Sequence, residues 1–462
     1  MEKYGIHIPD YRLPKLDEGF LPIALFNRSF LESAGSDHPL GIAIETADGR
    51  IETMHTFIHG SEEMFDADCY YAERAVKTLL WMKGGFRVYI CGSRVVYERL
   101  KTIYAPEGER AFDYEFMGTT YGKQFEIVYV DELPKEKGDR KQLGGHMEGC
   151  RIGFDAGGSD RKVSAVIDGE SVFSEETVWH PKTNADPAYH YEGITDALRT
   201  AASHMPCVDA VGVSTAGIVI NNRIMQASLF NIIPRELWED HVHDIYTRAV
   251  HDLFGNIPVE IANDGDVSAV AGVMSIGEPG VLGIAMGTSE AGGFVDGDGC
   301  ITGWLNEIAF IPVDCSSDAS WDEWSGDIGC GVKYFSQDSV NKLAPRAGIV
   351  VDEDLTPAEK LKIVQTLMEE GDARAAEVYE SIGVYLGHSL QFYYDLYEMS
   401  HVLLLGRVMS GKGGDLILKT AKDVMKNEYP ELASKVNVQL PDEKFRRVGQ
   451  SAAAAGLPEV KS

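Results

Sequence analysis

Two glycine-rich segments constrain the fold of this chain more than any other feature of its sequence. In the first, an apolar run ends at Asp155-Ala-Gly-Gly-Ser159, and a second apolar run follows at once. In the other, Gly287-Thr288-Ser289 ends one apolar run and Gly292-Gly293 opens the next. Glycines let a backbone turn tightly and approach another molecule closely. Each segment is therefore predicted to be a β-hairpin with a small-residue turn.

A turn of this composition has two interpretations. It can be an ordinary tight hairpin turn, or its backbone N–H groups and hydroxyls can face an anion. Lys162 could add positive charge beside the first turn, although its side chain can equally point to solvent. Because the design occurs twice, we interpret the pair as binding the phosphates of one nucleotide from two sides.

A carboxylate suited to chemistry follows the strand predicted at VEIAN, where Asn263-Asp264 begins a helix of small residues. Asp264 can act as the helix N-cap, which is the commonest role of an aspartate there. Asp266 is also available for capping, which leaves Asp264 free for another role. A carboxylate at the carboxyl end of a buried strand, near a helix N-terminus, can serve as a general base in phosphoryl transfer to a hydroxyl.

The wider pattern is that of an α/β protein. After residue 150, strand signals alternate with amphipathic helical patterns, which is typical of buried sheets. Before it, two strands around Asp48-Gly49, a helix, a strand, a helix and a strand are predicted. Charged residues and glycines fill 131–149, so we place a linker there.

Composition limits the partners. Lys and Arg number 42 against 72 Asp and Glu, a formal charge of −30, which disfavours nucleic acid and anionic membranes. The N-terminus lacks an apolar signal core, and no window is apolar enough for a membrane span. We expect a cytoplasmic protein that binds a small molecule. Its seven cysteines include no C-x-x-C, so they suggest neither a disulfide framework nor a zinc knuckle.

A third glycine-rich segment follows the apolar run HVLLL. Residues 406–412 have the spacing of a P-loop, but Gly413 stands where the Mg²⁺-binding Ser or Thr belongs. We therefore reject a P-loop. A strand, a glycine-rich turn and a helix start can instead hold the adenosine end of a nucleotide.

In this order the motifs resemble the ROK family of sugar kinases and related proteins, within the actin, sugar kinase and Hsp70 superfamily, over roughly residues 150 to 455. The resemblance implies two RNase H-like, actin-like lobes around a central cleft, with ATP and Mg²⁺ as cofactors. Asp155 would organise Mg²⁺, and Asp264 would be the catalytic base. The resemblance assigns nucleotide binding to Asp155, Gly157, Gly158, Ser159, Lys162, Gly287, Thr288, Ser289, Gly406 and Gly411, and acceptor binding to Asn231, Asn263, Asp264 and Glu307.

The resemblance also implies a domain scheme. Residues 150–265 would form the first lobe, completed by the C-terminal helix 440–462, and residues 266–439 would form the second lobe. Residues 1–130 lie outside the resemblance and are predicted to be an additional α/β domain of unknown role.

This chain departs from the family pattern at the acceptor site. Glu307 is kept, but Phe310 occupies the position of a His that contacts sugar hydroxyls and binds zinc in the family. Only Cys315 and Cys330 remain of the family's cysteine cluster, and Val332 stands where a second sugar-binding Glu is frequent. We therefore predict no structural zinc and a reshaped pocket.

Two functions remain open. The first is an ATP-dependent kinase that phosphorylates a hydroxyl of a sugar or sugar-like molecule. The second is a catalytically weak sensor or regulatory protein of the same fold. Assembly into a homo-oligomer is also left open.

Overall fold

The computed structural model of this chain describes residues 1–138 and 144–460, with the backbone alone for 443–448. By their internal contacts the residues form two compact units. Unit 1 comprises Met1–Asp139, Ile284–Gly292 and Trp304–Leu440, and unit 2 comprises Arg140–Gly283, Gly293–Gly303 and Pro441–Ser462. The domain boundaries inferred from the resemblance stay a prediction, and residues 139–143 of the proposed linker lie outside the described residues.

The N-terminal region of unit 1 is the predicted α/β arrangement, with a sheet of strand order β4-β3-β5-β6. β3 pairs antiparallel with β4 and β5, and β5 pairs parallel with β6. The turn at Gly49, where φ is +80°, separates β3 from β4 as expected. Helices α1 and α4 were not predicted. The elements are β1 (Glu2–Lys3), β2 (Ile6–His7), α1 (Ile23–Ala34), β3 (His38–Glu45), β4 (Ile51–Ile58), α2 (Phe65–Lys83), β5 (Arg87–Cys91), α3 (Arg94–Ile103), α4 (Ala111–Tyr121) and β6 (Glu126–Tyr129).

Unit 2 is built on a five-stranded sheet of order β13-β10-β7-β8-β9. β7, β10 and β13 run parallel, whereas β8 and β9 are added as antiparallel hairpins. The first predicted glycine-rich hairpin is thus confirmed, since β7 and β8 flank it. The elements are β7 (Cys150–Ala156), β8 (Asp160–Ile167), β9 (Glu170–Val178), α5 (Pro187–Ala202), β10 (Ala210–Thr215), β11 (Ile218–Ile220), β12 (Arg223–Gln226), α6 (Trp238–His241), α7 (Ile245–Phe254), β13 (Val259–Asn263) and α8 (Asp264–Ile276).

A four-stranded sheet of order β15-β14-β16-β17 follows. β14 and β15 flank Gly287-Thr288-Ser289, which confirms the second predicted hairpin. None of the helices in the described part of the chain is both long and apolar enough to span a membrane. The remaining elements are β14 (Val281–Met286), β15 (Glu290–Val295), α9 (Gln337–Arg346), α10 (Pro357–Glu370), α11 (Ala373–Tyr397), β16 (His401–Leu405), α12 (Gly411–Glu428), α13 (Pro430–Lys435), β17 (Asn437–Gln439) and α14 (Glu443–Ala455).

The alanine-rich end of α14 packs unusually close to the sheet of unit 2. A Cβ added to Gly153 of β7 would lie 1.6 Å from the Ser451 carbonyl oxygen, and one on Gly212 of β10 would lie 1.7 Å from the Ala454 carbonyl oxygen. Ala453 and Ala454 are fully buried at this contact. Small residues on both surfaces therefore allow the helix backbone to touch the strands.

This contact predicts a large effect of one methyl group. Gly153→Ala should lower the free energy of unfolding by more than about 3 kcal/mol, because the clash is with backbone that must move as a whole. Gly297→Ala is the matched control, since a Cβ there meets nothing within 4 Å. Urea denaturation of the two variants and the parent chain measures the difference; equal midpoints for both variants would contradict the packing.

Candidate functional site

The parallel strands of unit 2 bring polar side chains to one edge of the sheet. Asp155 of β7 is paired in register with Ser214 of β10, and Thr215 is paired with Asn263 of β13. The Ser214 hydroxyl donates a hydrogen bond of 2.8 Å to Asp155 Oδ1. Asp264 follows Asn263 as the first residue of α8. The predicted Mg²⁺ carboxylate and the predicted base thus both lie at the carboxyl edge of this sheet.

The two carboxylates are desolvated, and the charge of Asp264 acts on Asp155. Burial, and to a smaller extent the charge of Asp264, raise the pKa of Asp155 to about 6, against the hydrogen bond from Ser214. Burial also raises the pKa of Asp264, against the hydrogen bond from the Gly265 N–H group. A carboxylate with little compensating charge is an oxygen ligand that a hard divalent cation binds, so Asp155 fits Mg²⁺.

The structure resolves the capping alternative. The Asn263 side chain caps α8 by accepting a 2.8 Å hydrogen bond from the Gly265 N–H, and its Nδ2 donates to the Gly217 carbonyl at 2.7 Å. Asp266, the other candidate cap, instead accepts from the Phe294 N–H at 3.1 Å. Asp264 Oδ1 also accepts from Gly265 N–H, at 3.0 Å. Asn263, which the resemblance assigns to acceptor binding, is therefore the N-cap of α8. Asp264 is not needed for capping.

The first glycine-rich turn exposes Gly158 and Ser159. Trp179 stabilises this turn with two hydrogen bonds. Its side-chain Nε1 donates to the Gly157 carbonyl at 2.7 Å, and its backbone N–H donates to the Ser159 carbonyl at 3.1 Å. Lys162 Nζ lies 3.8 Å from an Asp160 oxygen and 3.6 Å from a Glu176 oxygen. Both are partly exposed pairs, which hold a lysine weakly. Lys162 thus remains available to a phosphate.

Sequence reasoning missed a second lysine at this turn. A Cβ on Gly158 would lie 3.0 Å from Lys182 Nζ, so the ammonium group is directly beside the turn. Lys182 is exposed and follows β9 in a short helical turn. No motif marks it in the sequence, because only the fold brings it to Gly158.

Unit 1 brings the other two glycine-rich segments together. Thr288 and Ser289 are exposed, and the Gly287 N–H donates to the Ser289 carbonyl at 2.9 Å. Gly406 has φ of +93°, and a Cβ there would lie 2.3 Å from the carbonyl oxygen of Met286, the residue before Gly287. Gly411, with φ of +66°, opens α12. The predicted phosphate turn and the predicted adenosine loop are therefore in contact.

The N-terminal region supports the segment that carries Glu307. The Glu307 N–H donates to the Trp81 carbonyl at 3.0 Å, and the Asn306 N–H donates to the Met82 carbonyl at 2.8 Å. Both carbonyls belong to the last turn of α2. Residues 1–130 had no predicted role. Through the end of α2, this region positions the backbone of Glu307, a candidate acceptor-binding residue.

Aromatic side chains surround Phe310. Its ring centroid lies 4.7 Å from that of Trp81 and 4.5 Å from that of Trp324. Val332 is buried and packs in the same cluster. The position that the resemblance gives to a histidine is therefore apolar. The absence of a structural zinc at this segment stays a prediction, and Asn231, exposed after the turn Ser228–Phe230, keeps only its predicted role.

Glu290, which the sequence analysis did not single out, is buried directly after the second glycine-rich turn. Its Oε1 accepts a 3.3 Å hydrogen bond from the Tyr393 hydroxyl, and Oε2 has no hydrogen-bond partner among the described residues. A Cβ on Gly331 would lie 2.3 Å from Oε2, so the missing side chain makes room for this carboxyl group. Burial raises the pKa of Glu290 to about 8.

Glu290→Gln should stabilise the protein increasingly as pH rises from about 5 to about 8. In this window the unfolded chain releases the Glu290 proton while the folded chain keeps it, so the parent loses up to about 1.4 kcal/mol per pH unit relative to the variant. Urea denaturation at several pH values measures this, with the exposed Glu236→Gln as control. If the difference in unfolding free energy between Glu290→Gln and the parent did not change with pH, the raised pKa of Glu290 would be refuted.

The chain was compared with known proteins. The ROK family profile matches residues 151–456, whereas a search of curated proteins found no sequence match. The solved structures that this chain resembles include three that each cover about two thirds of it. A ROK family glucokinase from Streptomyces griseus, in complex with glucose and AMPPNP, is 21% identical over 66% of this chain and 98% of its own, with TM-score 0.45. The ROK hexokinase from Thermus thermophilus is 16% identical over 66% and 97%, with TM-score 0.50.

The third structure is a ROK family transcriptional regulator, a homologue of the E. coli MLC protein. It is 14% identical over 67% of this chain and 78% of its own, with TM-score 0.53. The hexokinase and the regulator share the fold, which confirms the predicted actin-like α/β class. Because the family profile covers most of the sequence, from residue 151 to residue 456, this chain belongs to the ROK family.

Proposed function

We propose that this protein is an ATP-dependent kinase that phosphorylates a hydroxyl group of a sugar or sugar-like molecule. The observation that carries the proposal is the arrangement in unit 2, where Asp155, bonded to Ser214, and Asp264 lie at one edge of a parallel sheet. This is where ligands of such sheets bind, and membership of the ROK family supports it.

In the proposed reaction, Asp264 accepts the proton of the acceptor hydroxyl. The hydroxyl oxygen bonds to the γ-phosphorus, and the bond from that phosphorus to the bridging oxygen of the β-phosphate breaks, so that ADP leaves. A carboxylate whose pKa is raised by burial is a better proton acceptor than an exposed one. Mg²⁺, when bound by Asp155, would neutralise phosphate charge. Lys162 and the exposed turn at Ser159 would bind phosphate oxygens from unit 2.

Gly287, Thr288 and Ser289 would bind the phosphates, and the loop from Gly406 to Gly411 would bind the adenosine. Glu307 would bind an acceptor hydroxyl, and the substrate role of Asn231 is part of the same proposal. Because Phe310 and Val332 are apolar, we propose an acceptor that carries an apolar group on its ring rather than a plain hexose. A cytoplasmic location, the lack of a nucleic-acid partner and the oligomeric state stay predictions.

A sensor without efficient catalysis is the second candidate. Phe310 lies in an aromatic cluster, and both polar atoms of the Asn263 amide are bonded within the protein. Both features reduce the polar contacts left for a sugar. In a sensor, the N-terminal region that contacts Glu307 through Trp81 would respond to the bound ligand.

Asp264→Ala should lower kcat by about two to four orders of magnitude because the variant loses the proton acceptor. Well above pH 6, where Asp155 is ionised in both proteins, nucleotide affinity should stay unchanged. Release of ADP with a panel of sugars and glycosides measures the reaction, and ATP affinity is measured by calorimetry. Asp196→Asn, which changes an exposed carboxylate of the same unit, is the control.

The outcomes separate the two candidates. Sugar-dependent ADP release that Asp264→Ala abolishes supports the kinase. Stabilisation by a sugar in a thermal-shift assay, with no turnover in the parent chain, supports the sensor. Full turnover by Asp264→Ala would show that the base is misassigned.

Binding of ATP with Mg²⁺ should weaken as pH falls through about 6, because protonation removes the Asp155 charge. In Asp264→Asn the same loss should occur at lower pH, since the neighbouring charge that raises the Asp155 pKa is gone. Calorimetric titrations of both proteins at several pH values test this. Identical pH profiles would contradict the coupling of the two carboxylates.

A further inference from the structure

We propose that Cys150, Cys207 and Asp209 form a binding site for a thiophilic divalent cation such as zinc. Their ligand atoms, two thiol sulfurs and a carboxylate oxygen, all lie within 4.8 Å of one another. Two soft sulfurs and one oxygen are a donor set that selects zinc-like ions over magnesium or calcium. This site lies in unit 2 and is separate from Cys315 and Cys330, which belong to unit 1.

Strand pairing holds two of the three ligands in place. Cys150 begins β7, and Asp209 directly precedes β10, the parallel neighbour of β7. The Asp209 N–H donates to the Cys150 carbonyl at 2.7 Å, and the Cys150 N–H donates to Asp209 Oδ2 at 2.8 Å. The first bond joins the two backbones, and the second joins the carboxylate to the Cys150 backbone. The buried thiol and the carboxylate are therefore fixed on rigid elements, which favours ion binding.

The third ligand closes the group from the solvent side. Cys207 Sγ lies 3.8 Å and 3.9 Å from the two Asp209 carboxylate oxygens. Cys150 is buried, whereas Cys207 and Asp209 are exposed. The protein thus offers three donors on one side and leaves the other side open to water, as in a tetrahedral site with one exchangeable ligand.

Gly149 makes room for the carboxylate. Its φ is +80°, and a Cβ there would lie 2.6 Å from Asp209 Oδ2. The Gly149 N–H also donates to Asp168 Oδ1 at 2.9 Å, which holds this backbone conformation. A larger residue at this position would push the carboxylate away from the two sulfurs.

The position of the site defines its role. Cys150 and Asp209 lie at the amino ends of β7 and β10, whereas Asp155 lies near the carboxyl end of β7. A bound cation would join the loop before β10 to the first residue of β7, at the edge opposite the candidate catalytic carboxylates. We therefore infer an ion that stabilises unit 2 and takes no part in phosphoryl transfer.

Binding has a defined proton balance. Each thiol loses its proton to solvent. The two thiolates and the carboxylate then replace waters of the hydrated cation, and one water stays as the fourth ligand. Two cysteines thus release two protons for each ion bound. No change of oxidation state is involved.

The test uses the whole chain, reduced and treated with a chelator, and then titrated with Co²⁺ and Zn²⁺. We expect one equivalent of Co²⁺ to give a sulfur-to-cobalt charge-transfer band and tetrahedral visible bands, and Zn²⁺ to displace it with release of two protons. Zn²⁺ should raise the melting temperature. Cys207→Ser should lose the charge-transfer band at one equivalent and the thermal shift, and Asp209→Asn should bind more weakly. Because Cys207 is exposed, its replacement should leave the fold intact.

Cys91→Ser is the matched control, since Cys91 lies in unit 1 and donates to the Asp131 carbonyl at 3.2 Å. It should bind Co²⁺ as the parent does. Three results would overturn the proposal: no stoichiometric binding, equal binding by Cys207→Ser and the parent, or a Cys150–Cys207 disulfide without metal in protein purified without reductant. Kinase activity is not a readout here, so this test is independent of the proposed function.

Discussion

The parallel pairing of β7 with β10 and β13 is the constraint on which unit 2 depends. It fixes Ser214 opposite Asp155 and Thr215 opposite Asn263. Because parallel strands point the same way, their carboxyl ends meet at one edge, and there the sheet collects the polar side chains of the candidate site. The same pairing brings Cys150 and Asp209 together at the other edge. One register thus determines two chemically different sites.

Unit 1 depends on buried ion pairs between its N-terminal helices and the segment that contains Cys330. The Asp327 carboxylate forms ion pairs with Arg74 at 2.9 Å and with Arg110 at 2.6 Å. Lys77 Nζ lies 2.8 Å from Asp113 Oδ1. Removing one member of a buried pair costs about 3 to 5 kcal/mol because the other charge stays desolvated. These pairs join α2 and the start of α4 to the loop that also carries Trp324, whose ring packs at a tilt against that of Phe310.

The sequence predicted what is encoded locally. Both glycine-rich hairpins, the boundary of β13 with α8 at Asp264 and the strands around Gly49 follow from short patterns of glycine and apolar residues. The cap of α8 was harder to assign, because Asn263, Asp264 and Asp266 all have capping side chains. Only the geometry of the Gly265 N–H distinguishes them.

The contacts that the sequence did not indicate join residues that are far apart in the chain. Ser214 bonds to Asp155, Tyr393 to Glu290, and Lys182 approaches Gly158. A hydrogen bond to a backbone carbonyl, such as that of Trp81, has no residue signature at all. The room that Gly331 gives to Glu290 is equally invisible, because the two residues are 41 positions apart in the chain and no pattern links them. These contacts need the fold before they can be recognised.

The hydrogen bonds at the end of α2 have a consequence for how this chain can be divided. The last carbonyls of a helix need partners from outside it, and here Asn306 and Glu307 supply them. A chimera joined at the charged segment after β6 would leave those carbonyls to water and release the backbone of Glu307. The N-terminal region therefore has to be exchanged together with the segment from Trp304 to Phe310, and any grafting of this protein onto a shorter relative must move both.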